Sequence, residues 1–370
     1  MSKEDIISSI VYVVMLAFAI IVGVIVVQPI ISSGYLGKDG ALFGFLFLSL
    51  LIGLVLNALI IEIGHLIGAK IGKYEILTFN VLAFSFYKKK EEHGIKFKFK
   101  FPRNYDGLTG ETIIAPKSEK SKPMSYVFLP IVLFGLEIVG CIFAFLSIKD
   151  GPNNFMMMYI KYGVFISTCI GGMIIIYDYF PARLDNMNDG YRLVLLNKKI
   201  NINAFNELLR VQKCEFYSED SGEIKQFEQI TDFTAKVNML SANRLALNEY
   251  QESLKIIDNL LSAKDKISNN TYFDIKLTKC FILFMNDQIE EAKNYYINEF
   301  SDDEKKFIVN CTRIDTCRVY LLYEGLIEKS NSEVELALEK SQKALKKVLP
   351  GLKDKEEKLL NLVKEKISQK

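Results

Sequence analysis

The chain has no tryptophan, only two histidines, few arginines, and six cysteines that never form a CxxC pair. The thiols (Cys141, Cys169, Cys214, Cys280, Cys311, Cys317) are scattered, which excludes a disulfide framework. Cys311 and Cys317 lie six apart, a spacing that matches no common zinc site. Reduced thiols in or facing a cytosol fit this pattern. Charge of one sign is also missing. The formal net charge is +2 over 370 residues, which gives no global argument for nucleic acid. No basic recognition helix or Arg-aromatic RNA module is visible, so no nucleic-acid partner is expected. The richness in Lys, Ile and Asn resembles the composition of low-GC bacterial genomes.

What the chain does have is apolar sequence, unevenly placed. Residues 10–72 and 124–180 are very apolar, whereas residues 198–370 are rich in Lys, Glu, Asp and Asn. The contrast predicts a membrane domain over 1–200 and a soluble domain over 201–370. Four spans are expected, at about 8–31, 41–72, 124–148 and 155–178, each meeting the roughly 20 residues needed to cross hydrocarbon. The first run is longer than a signal-peptide core, and no small-x-small site ends it. It is read as a retained helix. The second run exceeds the crossing length, so its last turns are expected in a protein-lined pocket or at the cytosolic interface.

Lys and Arg crowd the connections 74–123 and 183–199, whereas those near Gly34–Gly40 and Lys149–Asn154 carry one Lys each. The positive-inside rule then places both termini and the 74–123 loop in the cytosol of an integral protein of the bacterial plasma membrane. That loop is β-rich. "YEILTFNVLAFSFYKKK" and "IKFKFKF" read as strands, the second alternating apolar residues with Lys. Its basic face either meets anionic headgroups of the lipid bilayer or is simply solvated.

Residues 201–370 read as helices with short polar breaks. Tyr250, Leu254, Ile257 and Leu261 share one stripe; so do Ile289, Ala292 and Tyr296, and then Leu338, Ala344 and Leu345. Ser253, Ala292 and Ala337 put a small residue near the same point of each helix. These helices resemble tetratricopeptide-type pairs, although the spacing is not a steady repeat; an irregular helical bundle is the other reading. Both imply a surface for a protein partner. The expected fold class is therefore mostly α: a polytopic membrane domain with a small cytosolic β-rich insertion, followed by a helical, tetratricopeptide-like domain.

Two polar clusters interrupt the apolar regions. In "NALIIEIGHLIGA", Glu62 and His65 are three apart and share a helix face, and Ile61, four before His65, shares it too. Burying such ionisable residues unpaired in a membrane is costly, so they are functional candidates by default. Gly64, Gly68 and Gly72 recur every four residues, a small-xxx-small stripe suited to close helix packing. The second cluster is "YDYFPARLDNMNDGYRLVLL", where Pro181 breaks a helix and Asp185, Asn186, Asn188, Asp189 and Gly190 follow.

Together the motifs resemble the site-2 protease family of intramembrane zinc metalloproteases. The resemblance covers roughly residues 40–200. It implies a helix bearing HExGHxxGA, a β-rich loop, and a helix pair ending in N-x-x-P…DG. In that family two histidines and the aspartate of the DG element hold zinc, and the glutamate is the general base. Carried over, Glu62 takes the base position, and His65 and Asp189 take ligand positions. Gly64, Ala69, Pro181 and Gly190 match the remaining motif positions. The departures are Ile61, where the first ligand histidine belongs, and Asp178, where the family has Asn. The resemblance then leaves open an active protease with zinc, and a pseudoprotease with weak or no zinc. The pseudoprotease would bind a membrane-spanning or peptide client. Asp178 or Asp185 is a candidate third ligand; His93, in the "EEHG" turn, reads as a loop residue. A plain membrane-anchored helical scaffold is the third reading.

Overall fold

The computed structural model describes residues 3–32, 34, 39–81, 84–88, 95–99, 112–149, 155–184, 187–346, 348 and 352–369. The protein is mostly helical, with one small antiparallel sheet. It divides into two compact units, Met1–Ile202 and Asn203–Lys370.

The first unit opens with α1 (Lys3–Val22), which passes through a π-helical turn, Gly23–Val27, into α2 (Gln28–Ser32). Next comes α3 (Asp39–Ile71), with 33 residues. At 1.5 Å per residue α3 is about 50 Å long, well beyond a hydrocarbon core of about 30 Å. Two further long helices, α4 (Pro123–Ser147) and α5 (Phe155–Asp178), pack with it. Four helices of this unit are long and apolar enough to cross a membrane, over Asp5–Val22, Ala41–Ile71, Pro123–Ser147 and Met156–Asp178. Their outward faces carry exposed Phe43, Leu136, Phe143 and Leu146.

Close approach of α3 and α4 depends on missing side chains. A Cβ at Gly64 would sit 2.6 Å from the Pro130 Cα, and one at Gly72 2.8 Å from the Ser125 hydroxyl. One at Gly68 would collide with the Ser125 carbonyl. The glycine stripe thus faces the first two turns of α4.

Gly72 and Lys73, the latter at φ 63, turn the chain directly from α3 into β1 (Tyr74–Val81). β2 (Phe84–Lys88), β3 (Ile95–Phe99) and β4 (Ile113–Pro116) complete a sheet of order β3-β2-β1-β4. The alternation in the sequence is realised in the β2–β3 register. Phe86 pairs with Phe97 on one face, and Tyr87 with Lys96 on the other. Strand β4, too short to stand out in the sequence, pairs with β1 and leads into α4. After α5 comes α6 (Asp189–Leu196).

The second unit contains most of α7 (Lys199–Phe216), then α8 (Asp232–Leu245), α9 (Tyr250–Ser262), α10 (Asn269–Met285) and α11 (Ile289–Glu299). These are followed by α12 (Asp302–Asn310), α13 (Ile314–Tyr323), α14 (Asn331–Leu345) and α15 (Lys353–Ser368). Hydroxyl caps start several of them. Thr231 and Ser301 form capping boxes with Thr234 and Glu304, and Ser268 caps α10. Successive helices pack on one another through Ile257, Leu260, Leu283, Phe284, Leu321 and Leu322. Ser253, Ala292 and Ala337 are fully buried.

Candidate functional site

The last turns of α3 carry the first cluster. Glu62 is 3% exposed and His65 7%; neither faces outward. Each finds a partner across the bundle. The Thr112 hydroxyl, just before β4, donates to Glu62 Oε2 at 2.6 Å. His65 Nδ1 lies 3.0 Å from the Tyr126 carbonyl of α4. The Tyr126 hydroxyl donates in turn to the Thr112 carbonyl at 3.2 Å. Thr112 is thereby tied to α3 and α4 at this point.

The second cluster sits on the turn between α5 and α6. Asn188 is the N-cap of α6, accepting from the Tyr191 N–H at 2.9 Å. Its amide donates to the Tyr177 and Phe180 carbonyls at 3.0 and 2.9 Å, which holds the turn against the end of α5. Gly190 is required here, because a Cβ would collide with the Tyr179 carbonyl group. Pro181 lies in the bend that follows α5. Asp178, the last residue of α5, takes a hydrogen bond from the Asp189 backbone.

The two clusters meet, although 124 positions separate His65 from Asp189 in the chain. His65 Nε2 lies 3.2 Å from Asp189 Oδ2. Arg192, one turn along α6, donates to Asp189 Oδ1 at 3.1 Å. The Tyr179 hydroxyl reaches the Val127 carbonyl at 2.9 Å and Asp189 Oδ2 at 3.4 Å. Burial pushes the Asp189 carboxyl up, but the charges of His65 and Arg192 and the hydrogen bonds it accepts outweigh that and leave it below the usual carboxylate range. Its place in the first turn of α6 favours the anion further.

Hydrogen-bond logic fixes the role of His65. Carbonyl oxygens only accept, so Nδ1 donates to Tyr126. An ionised carboxylate also only accepts, so Nε2 donates to Asp189. In this arrangement Nε2 is engaged by Asp189, and a metal at that nitrogen would have to displace its proton.

A catalytic zinc needs three protein ligands and one open position. Ile61, at the position that the resemblance assigns to the first ligand, is buried, 4% exposed. The Arg192 guanidinium sits on the carboxylate that would be another ligand, and a cation there opposes a dication. Among the described residues, no group of three or more His, Cys, Asp or Glu is arranged to hold a metal ion. The donors among the described residues of this site therefore do not make up a three-ligand zinc set. Asp185 and His93 lie outside the described residues.

Four residues of this network were not singled out in the sequence: Thr112, Tyr126, Tyr179 and Arg192. Only Arg192 carries a local signal, since it follows Asp189 by three on a helix that Asn188 caps. The others are reached through tertiary packing. No protein-family model, curated protein or solved structure matches this chain.

Proposed function

We propose that this protein is a membrane-embedded, site-2-protease-like pseudoprotease that binds a membrane-spanning or peptide client without cleaving it. The observation that carries the reading is the state of Asp189. Its carboxylate is consumed by His65, Arg192 and Tyr179, and Ile61 stands where another ligand belongs. A buried, hydrogen-bonded ion pair of this kind is held together by its partners and costs much to open. It suits a structural latch between α3 and α6 better than a hydrolytic centre. On this reading the four apolar helices lie in a bacterial plasma membrane with both termini cytosolic, and the tetratricopeptide-like unit offers a surface to a protein partner.

Metal analysis of the purified full chain tests the reading. Zinc well below stoichiometric amounts is expected; stoichiometric zinc lost on substituting His65 or Asp189 overturns it. One observation favours the enzyme instead. His65 Nδ1 on a backbone carbonyl is the orientation that second-shell partners give a metal-bound histidine. Under that reading Glu62→Gln abolishes cleavage of a co-expressed client at unchanged expression. Under the pseudoprotease reading the client is intact with either residue.

A further inference from the structure

A second polar cluster lies deeper along α3, separate from the His65 site. Asn57 and Ile61 precede His65 at successive intervals of four, so the three share a face. The Asn57 amide donates to the Gly53 and Ser167 carbonyls, both at 2.9 Å, and approaches the Ser167 hydroxyl at 3.3 Å. Ser167 donates to Glu137 Oε1 at 2.9 Å. Gly171 leaves room for the Asn57 amide; a Cβ there would overlap it. The series ends at Glu137 Oε2, which is buried and has no hydrogen-bond partner among the described residues.

Glu137 stands fourteen residues into α4, about 21 Å from its start. That depth is far from either end of the helix. An ionisable group there is expensive unless it is used, and an acceptor left without a donor adds to the cost. The carboxyl sits at a seam. On one side are the inward Phe134 and Cys141; on the other are Leu136 and Val139, each 62% exposed. Among the described elements α4 packs against α3, α5 and α6, which leaves that outer face open. Oε2 is covered in this arrangement, and the last side-chain torsion, soft in glutamate, is the freedom by which it would turn towards that face when a donor arrives.

We infer that Glu137 is a recognition point for a client's transmembrane helix carrying a hydrogen-bond-donating side chain at mid-bilayer. The inference rests on the client-binding reading and gives the client its chemistry. Asn57 and Ser167 hold the carboxyl in place, and the client supplies the missing donor. The geometry also sets a register. Asn57 and His65 are eight residues apart on α3, about 12 Å, so the client's donor lies two helical turns deeper than its contact beside the His65 site.

The test uses the full chain, labelled and reconstituted in phosphatidylcholine–phosphatidylglycerol vesicles. The probes are two synthetic leucine-rich transmembrane helices, one with a central glutamine and one with leucine there. Energy transfer is expected to show the glutamine helix binding about threefold to thirtyfold tighter. Glu137→Leu is expected to erase that difference with binding of the all-leucine helix unchanged, whereas Glu137→Gln preserves most of it. A photoreactive group beside the central glutamine is expected to label α4 around Glu137 in the unaltered protein, which decides the matter if the leucine variant fails to fold. Equal binding of the two helices, or labelling elsewhere, overturns the inference and leaves client binding standing. Binding of neither helix overturns both.

Discussion

Asp189 shows how one side chain can bind two segments distant in sequence. Three donors converge on it, from α3, from α6 and from the end of α5. Removing it takes from His65 Nε2 and from the Arg192 guanidinium their shared acceptor. Asp189→Ala is therefore expected to destabilise the membrane unit by about 3–5 kcal/mol, read as thermal unfolding of the purified protein in detergent. Thr112→Val is milder. It takes from the buried Glu62 one neutral donor, a loss of about 1–3 kcal/mol in the same measurement. If Asp189→Ala proves no worse than Thr112→Val, the ion pair is not what holds the site.

At the scale of elements, the packing of α3 on α4 is decided by atoms that are missing. Gly68→Ala is expected to part the two helices, because its Cβ would meet the Ser125 carbonyl, whereas Gly135→Ala on α4 meets open space. Lower expression and melting temperature for the first variant, with neither changed for the second, is the expected result. Much of this was legible in the sequence. Four apolar runs give four long helices, and period-two alternation gives β2 and β3 their two faces. Glu62 and His65 stood out because polar residues are rare in such runs. Their partners did not, for a physical reason: Thr112 and Tyr126 reach the site by tertiary packing, which leaves no period in the sequence. Strand β4 has only four residues and cannot declare itself by alternation. Arg192 was readable in principle from its spacing to Asp189, but only once Asn188 is known to start a helix.

For the whole molecule, the proposed orientation has a direct check. Cysteines introduced at Lys88 in β2 and Lys355 in α15 should react with an impermeant maleimide only after the cytosolic face is opened; labelling of either in intact cells reverses the topology. The Arg192–Asp189 contact has a wider consequence. Ile61→His alone restores a ligand but leaves a guanidinium on its neighbour, and Arg192→Leu alone frees a carboxylate with no third ligand to join it. Each single change is expected to bind little zinc, and the pair together to bind far more than the sum, read by metal analysis. On the pseudoprotease reading the two positions work as a double lock, in which opening either one alone leaves the site shut to metal.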